Sequence, residues 1–247
     1  DKTGTLTENR MSVAELRLKG DDVFRPHEAS GAKMPEDFHE LVEFGLLASA
    51  RDPFDPMEKA FHDLGREQLA GTEHLRGPEW RLVREYGLRP DLLAMSHAWQ
   101  GADDRQEFVV AAKGAPEAIA NLCRFNGADF VALARSVDAM AAEGLRVLGV
   151  ARASFAGQSF PESQRDFTFE FLGLIGLADP LRRSVPDAVN ECRSAGIKVV
   201  MITGDYPATA RAIARQAGLD AEVVVTHAGD DLEVRREHHL VLHVGRR

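Results

Sequence analysis

Along the chain, apolar positions recur with a helical period in some stretches and in short β-branched runs in others. Helical spacing predicts helices over 36–50 and 56–69, and further ones near 115–122 and 130–143. Short apolar runs predict strands over 80–86, 107–112, 145–153 and 169–178. In the C-terminal third, Ser184 is placed to cap a helix with Pro186 and Asp187 in its first turn, and Gly196 to stop it. The run 197–202 (IKVVMI) has the length and branching of a buried parallel strand. A helix from about Pro207 to Gly218 and a strand at 223–225 follow, which together predict a βαβ unit. The alternation changes character in the middle of the chain. This predicts an α/β chain in which residues 10–177 form an inserted α+β domain, with helices beside a mixed sheet. That insert interrupts a parallel-sheet domain built from residues 1–9 and 178–247.

Composition narrows the classes. A chain of 247 residues can bury a sizeable core, and 44% hydrophobic with 28% charged residues is ordinary for a globular protein. The net charge of -9 disfavours a general nucleic-acid binder, which needs a basic face. No apolar run reaches the roughly 18 residues of a membrane span; the longest, 171–178 (FLGLIGLA), fits a buried strand. The opening residues DKTGTLTENR carry no signal-peptide pattern. Cys123 and Cys192 match no metal-ligand spacing and read as reduced thiols, which suits a cytosolic setting. His238, His239 and His243 lie among arginines and glutamate and read as a solvated tail rather than a metal site.

Candidate chemistry concentrates at residues 1–5 (DKTGT). A carboxylate such as Asp1 can attack a phosphoryl group and hold it as an acyl phosphate. Gly4 lets backbone amides form a nest for phosphate oxygens, and Lys2 adds positive charge. Thr3 stands two residues after Asp1, where aspartate-nucleophile phosphatases commonly place a second carboxylate as acid/base. A threonine there lets a phosphoenzyme persist.

With the distant elements Thr203-Gly204-Asp205 and Asp179-Pro180-Leu181-Arg182, DKTGTLTEN resembles the phosphorylation motif of P-type cation-transporting ATPases, members of the haloacid-dehalogenase-like fold group. The resemblance implies catalytic roles for Asp1, Lys2, Thr3, Thr203, Gly204 and Asp205. It also implies Mg²⁺ held by Asp1 and Thr3, and ATP as substrate. Asp179 and Arg182 are expected near the ribose and phosphates, although Leu181 departs from the family's second proline. Lys113-Gly114-Ala115-Pro116-Glu117 is similar to the KGAPE motif of the family's nucleotide domain. Lys113 is then expected to line the adenine pocket and Gly114 to admit the base. Asp55-Pro56-Met57-Glu58 is similar to a segment placing Glu58 near the adenine amino group, and Arg146 to an arginine reaching the phosphates. Tyr86 stands where the family has an adenine-stacking phenylalanine. Leu92 and Leu93 stand where it often has a lysine.

The resemblance extends to about residue 225 and is closer to calcium-type and related cation pumps than to heavy-metal pumps, because no His-Pro pair occurs. It implies a region on the cytoplasmic face of a membrane protein, acting with membrane helices and an actuator domain outside this sequence. The strand ahead of Asp1 and the family's GDGxNDxP loop are not in the sequence. The polypeptide is therefore expected to bind ATP weakly and to turn over slowly or not at all. A soluble phosphatase of the same fold group is the alternative; a nucleotide-binding module without chemistry of its own is a third reading, compatible with the first.

Overall fold

A computed structural model describes residues 2–20, 22–28, 33–75, 77, 79–101, 107–219 and, for the backbone alone, 224–226. Asp1 and the histidines at 238, 239 and 243 lie outside the described residues.

Seven strands form one sheet: β1 (Ser12–Leu18), β2 (Val23–Phe24), β3 (Arg81–Tyr86), β4 (Ala94–Gln100), β5 (Phe108–Gly114), β6 (Arg146–Phe155) and β7 (Glu170–Ala178). Their order is β2-β1-β7-β6-β5-β4-β3, antiparallel throughout. The expected mixed sheet is thus corrected. Hairpin-scale connections on one side and direct pairing of β1 with β7 leave no parallel neighbours. The apolar pattern does not predict β1, β2 or β4, because β1 and β4 carry polar residues through the apolar run and β2 is only two residues long. Glu15 of β1, for instance, is buried and bonded to both Arg17 and Arg25.

Helices cover both faces of this sheet. α1 (His39–Leu47) and α2 (Pro56–Gln68) bury Leu41, Val42 and Phe61 against Val150, Ile175 and Leu177. α3 (Pro116–Leu122) and α4 (Gly127–Ala142) bury Ile119, Leu133 and Met140 against Val110, Ala151 and Leu174. Alternate residues of one strand therefore serve opposite cores. Both longer helices start at side-chain caps. Asp55 accepts from the Met57 amide at 2.7 Å, with Pro56 in the first turn. Asn126 accepts from the amides of Ala128 and Asp129. Each such cap contributes about 1 kcal/mol.

Beyond β7 the chain forms α5 (Val185–Ser194), β8 (Met201–Thr203), α6 (Pro207–Gln216) and β9 (Val224–Thr226). β8 and β9 pair in parallel across α6, the expected βαβ unit. Two details differ. Ser184 makes no side-chain cap, since its backbone is already helical. The strand also begins at Met201 rather than at 197, and Ile197, Val200 and Ile202 are exposed. A separate core joins Leu6 and Leu181 to Val185, Val189, Met201 and Ile213, so residues from the start of the chain pack with its C-terminal third. Among the described residues no helix is long and apolar enough to cross a membrane.

Candidate active site

The first turn brings sequence-distant residues together. The amides of Thr5, Leu6 and Thr7 all donate to the Lys2 carbonyl, and Gly4 takes φ +76°, a conformation that glycine adopts without penalty. Lys2 is buried, and its ammonium lies 2.5 Å from Asp205 Oδ2. The contact lacks hydrogen-bond alignment, so charge rather than directionality holds it. Asp205 follows β8 after Gly204. Its amide donates to Thr203 Oγ1 at 3.2 Å, forming a tight turn that ends in the first turn of α6. Thr203, Gly204 and Asp205 thus meet the residue next to Asp1, at the carboxyl end of a parallel strand where such sheets bind ligands.

Thr3 is exposed on the turn. A divalent cation needs hard oxygen ligands, and the expected donors, the carboxylate of Asp1 with oxygens of Thr3, are of that kind. Among the described residues no cluster of three or more His, Cys, Asp or Glu side chains forms a metal site.

A cavity of about 490 Å³ opens where β5 ends and β6 begins, and α6 closes its far side. Lys113, Gly114 and Arg146 line one wall, and Gly204, Asp205 and Tyr206 the other. Much of the remaining lining is apolar, including Met57, Leu93, Met95 and Leu148, as a planar base would require. Arg146 is exposed at this wall, where its guanidinium can reach a bound anion.

Lys113 is 3% exposed and fully engaged. Its ammonium donates to Glu58 Oε1 at 2.7 Å and to Ser49 Oγ at 2.6 Å, and lies over the Phe61 ring at 5.3 Å. Burial pulls its pKa below the ordinary lysine value, and the Glu58 carboxylate opposes that shift. Ser49, which sequence reasoning missed, in turn donates to the Gly45 carbonyl. Only the fold brings these residues together. Gly114 has a packing reason beside any approach of a base. A Cβ there would collide with the Leu93 carbonyl and lie 2.6 Å from Ala94 Cα, because β5 and β4 pair at this register.

Other expected site residues lie elsewhere. Tyr86 does not line the cavity. Its ring packs edge-on to Phe167, and its hydroxyl donates to the Pro161 carbonyl at 2.7 Å, which places it in a core. Leu93 is exposed at the rim, whereas Leu92 is buried. Asp179 and Arg182 knit the first turn to the end of β7. Asp179 accepts from the Thr7 hydroxyl and the Arg10 amide, and Arg182 donates to the carbonyls of Thr7 and Gly4. Neither lines the cavity. Cys123 is half-buried, and burial pushes its thiol up to about 12, as suits an inert residue.

The family model of haloacid dehalogenase-like hydrolases matches residues 1–239. The sodium/potassium-transporting ATPase subunit alpha-4 of Homo sapiens is 31% identical over 90% of this chain and 25% of its own length. The corresponding alpha subunit of Hydra vulgaris is also 31% identical, over the same shares. The potassium-transporting ATPase alpha chain 2 of Rattus norvegicus is 31% identical over 89% of this chain and 25% of its own. The chain spans about a quarter of the length of these relatives. With the family match running over nearly all of its residues, this chain belongs to the haloacid dehalogenase-like hydrolases, and within them it is a relative of the alpha subunits of P-type cation-transporting ATPases.

Proposed function

We propose that the chain is the ATP-binding and aspartyl-phosphorylation region of a P-type ATPase that couples ATP hydrolysis to cation transport. Residues 10–177 form its nucleotide-binding unit, inserted between residues 1–9 and 178–247. The observation that carries this reading is the shared cavity. It sets Lys113, Gly114 and Arg146 opposite Gly204 and Asp205, which lie 58 to 92 residues later in the chain. The base enters the apolar part beside Met57, Met95 and Leu148, with Lys113 held at its edge by Glu58. Arg146 takes the phosphate chain. The terminal phosphate then points toward the turn where Lys2, next in sequence to Asp1, meets Asp205.

In the transfer step an Asp1 carboxylate oxygen forms a bond to the terminal phosphorus. The bond from that phosphorus to the bridging oxygen breaks, and its electron pair leaves with ADP. Asp1 and Thr3 would hold a magnesium ion, which would supply charge neutralisation on the phosphoryl oxygens. Lys2 holds Asp205 in place and reduces the negative charge an incoming phosphate meets. Thr3 supplies no general base, which favours a lasting phosphoenzyme. The membrane helices and actuator of the whole pump act on that intermediate at the cytoplasmic face of a membrane.

Calorimetric titration with ATP tests the binding half of this reading. Saturable binding to the wild-type protein, lost in Lys113→Ala and weakened but still measurable in Arg146→Ala, is expected; a wild-type protein that takes up no ATP overturns it. Rapid hydrolysis of small phosphate esters with no preference for ATP would favour a soluble phosphatase instead.

A further inference from the structure

The two walls of the cavity come from parts of the chain far apart in sequence, and a buried contact joins them. Thr209, in the first turns of α6, is 2% exposed, and its hydroxyl donates to the Leu145 carbonyl at 2.8 Å in a buried setting. Leu145 directly precedes Arg146. Gly144, just before it, takes φ +89°, and a Cβ there would lie 3.2 Å from Ile213 Cδ1. The turn into β6 therefore lies directly against α6. A second, exposed hydrogen bond runs from the Tyr206 hydroxyl to Asp138 of α4 at 3.0 Å.

We infer that Thr209 is a positioning residue for Arg146. Its hydroxyl ties the backbone at Leu145 to the helix that follows Thr203-Gly204-Asp205, and so fixes the guanidinium at the cavity wall facing Asp205. The inference rests on the proposed nucleotide reading. A buried carbonyl seeks a donor, and the Thr209 hydroxyl is the donor that the fold brings to the one at Leu145. Without it, the turn gains freedom at the residue beside Arg146, and the arginine reaches the phosphates from a spread of positions. Thr209 itself lines the cavity, but its hydroxyl is committed to the Leu145 carbonyl, so the bond acts through Arg146.

Four variants test this by ATP titration well below the melting temperature: Thr209→Val, Thr209→Ser, Arg146→Ala, and Thr209→Val with Arg146→Ala. Valine keeps the shape and removes the donor, and serine restores the donor. Thr209→Val is expected to weaken ATP binding about threefold to tenfold. Thr209→Ser should stay within about twofold of wild type, on the same hydrogen-bond scale. In the Arg146→Ala background the valine should cause no further loss of affinity, although it lowers the melting temperature in both backgrounds. Equal losses of affinity in both backgrounds, or full affinity in Thr209→Val, overturn the inference. If the wild-type protein binds no ATP, the nucleotide reading falls separately, and amide hydrogen exchange over 144–147 decides the positioning claim. Faster exchange in Thr209→Val than in Thr209→Ser supports it, and equal exchange overturns it.

Discussion

The Thr7 hydroxyl donates to Asp179 Oδ2 at 2.6 Å, joining residues 172 positions apart where the chain leaves its first turn and where β7 ends. Thr7 also offers its carbonyl to Arg182, and the Glu8 amide donates to the Pro180 carbonyl. Thr7 is fully buried and Asp179 nearly so, which makes this junction the clasp between the large sheet and the small core. Thr7→Val leaves the buried Asp179 carboxylate short of one donor. It is expected to lower the unfolding free energy by about 1.5–3 kcal/mol in denaturant titrations, with Thr7→Ser close to wild type.

Lys113 and Glu58 form a pair whose side chains are 4% and 14% exposed. Removing the carboxylate alone leaves a buried ammonium without its charged hydrogen-bond partner, with the Ser49 hydroxyl and the Phe61 ring beside it. Glu58→Ala should therefore cost about 3 kcal/mol of stability, and more than the double variant with Lys113→Met would suggest from the single changes added together. The Lys113 pKa, already lowered by burial, should fall further in Glu58→Gln. The rate of amine acylation at Lys113, followed against pH by mass spectrometry, would then rise at lower pH than in wild type. An unchanged profile would disconnect the two residues.

His97 is buried on β4, with Nδ1 3.1 Å from the Leu47 carbonyl, and burial lowers its pKa below the ordinary histidine value. The unfolded chain binds a proton there near pH 6.5 that the folded protein binds only at lower pH. Stability at this site is therefore present above that pH and declines as pH falls through and below it. Denaturant midpoints measured from pH 7.5 to 5 should fall in the wild type and fall less steeply in His97→Gln.

Gly114→Ala places a methyl group against the backbone of β4, which cannot move without breaking its register with β5. The expected cost is about 1–3 kcal/mol, with loss of ATP affinity because the same residue lines the cavity. A variant as stable as wild type would show that the strands part here easily.

Several elements were legible because their signals are local. Asp55-Pro56 marks the start of α2, and the gap from Gly196 to Pro207 leaves room for one short strand. β1 was not legible, since Glu15 and Arg17 satisfy one another and Arg25 through neighbours that only folding supplies. The same limit applies to Tyr86: the resemblance sets it where the family has an adenine-stacking phenylalanine, yet its hydroxyl finds Pro161 and its ring a core.

The sequence by itself determined the order of the helices, the parallel unit at the C-terminal end and the short motifs with their chemistry, because turn residues, caps and apolar period act over a few neighbouring positions. Only the tertiary structure decided which motifs share a cavity. It set Lys113 against Glu58 and Ser49, Lys2 against Asp205, and Thr209 behind Arg146, while drawing Asp179 and Arg182 into a clasp. Such pairings depend on strand order and on burial of charge. Both are properties of the whole chain, and no local window contains them.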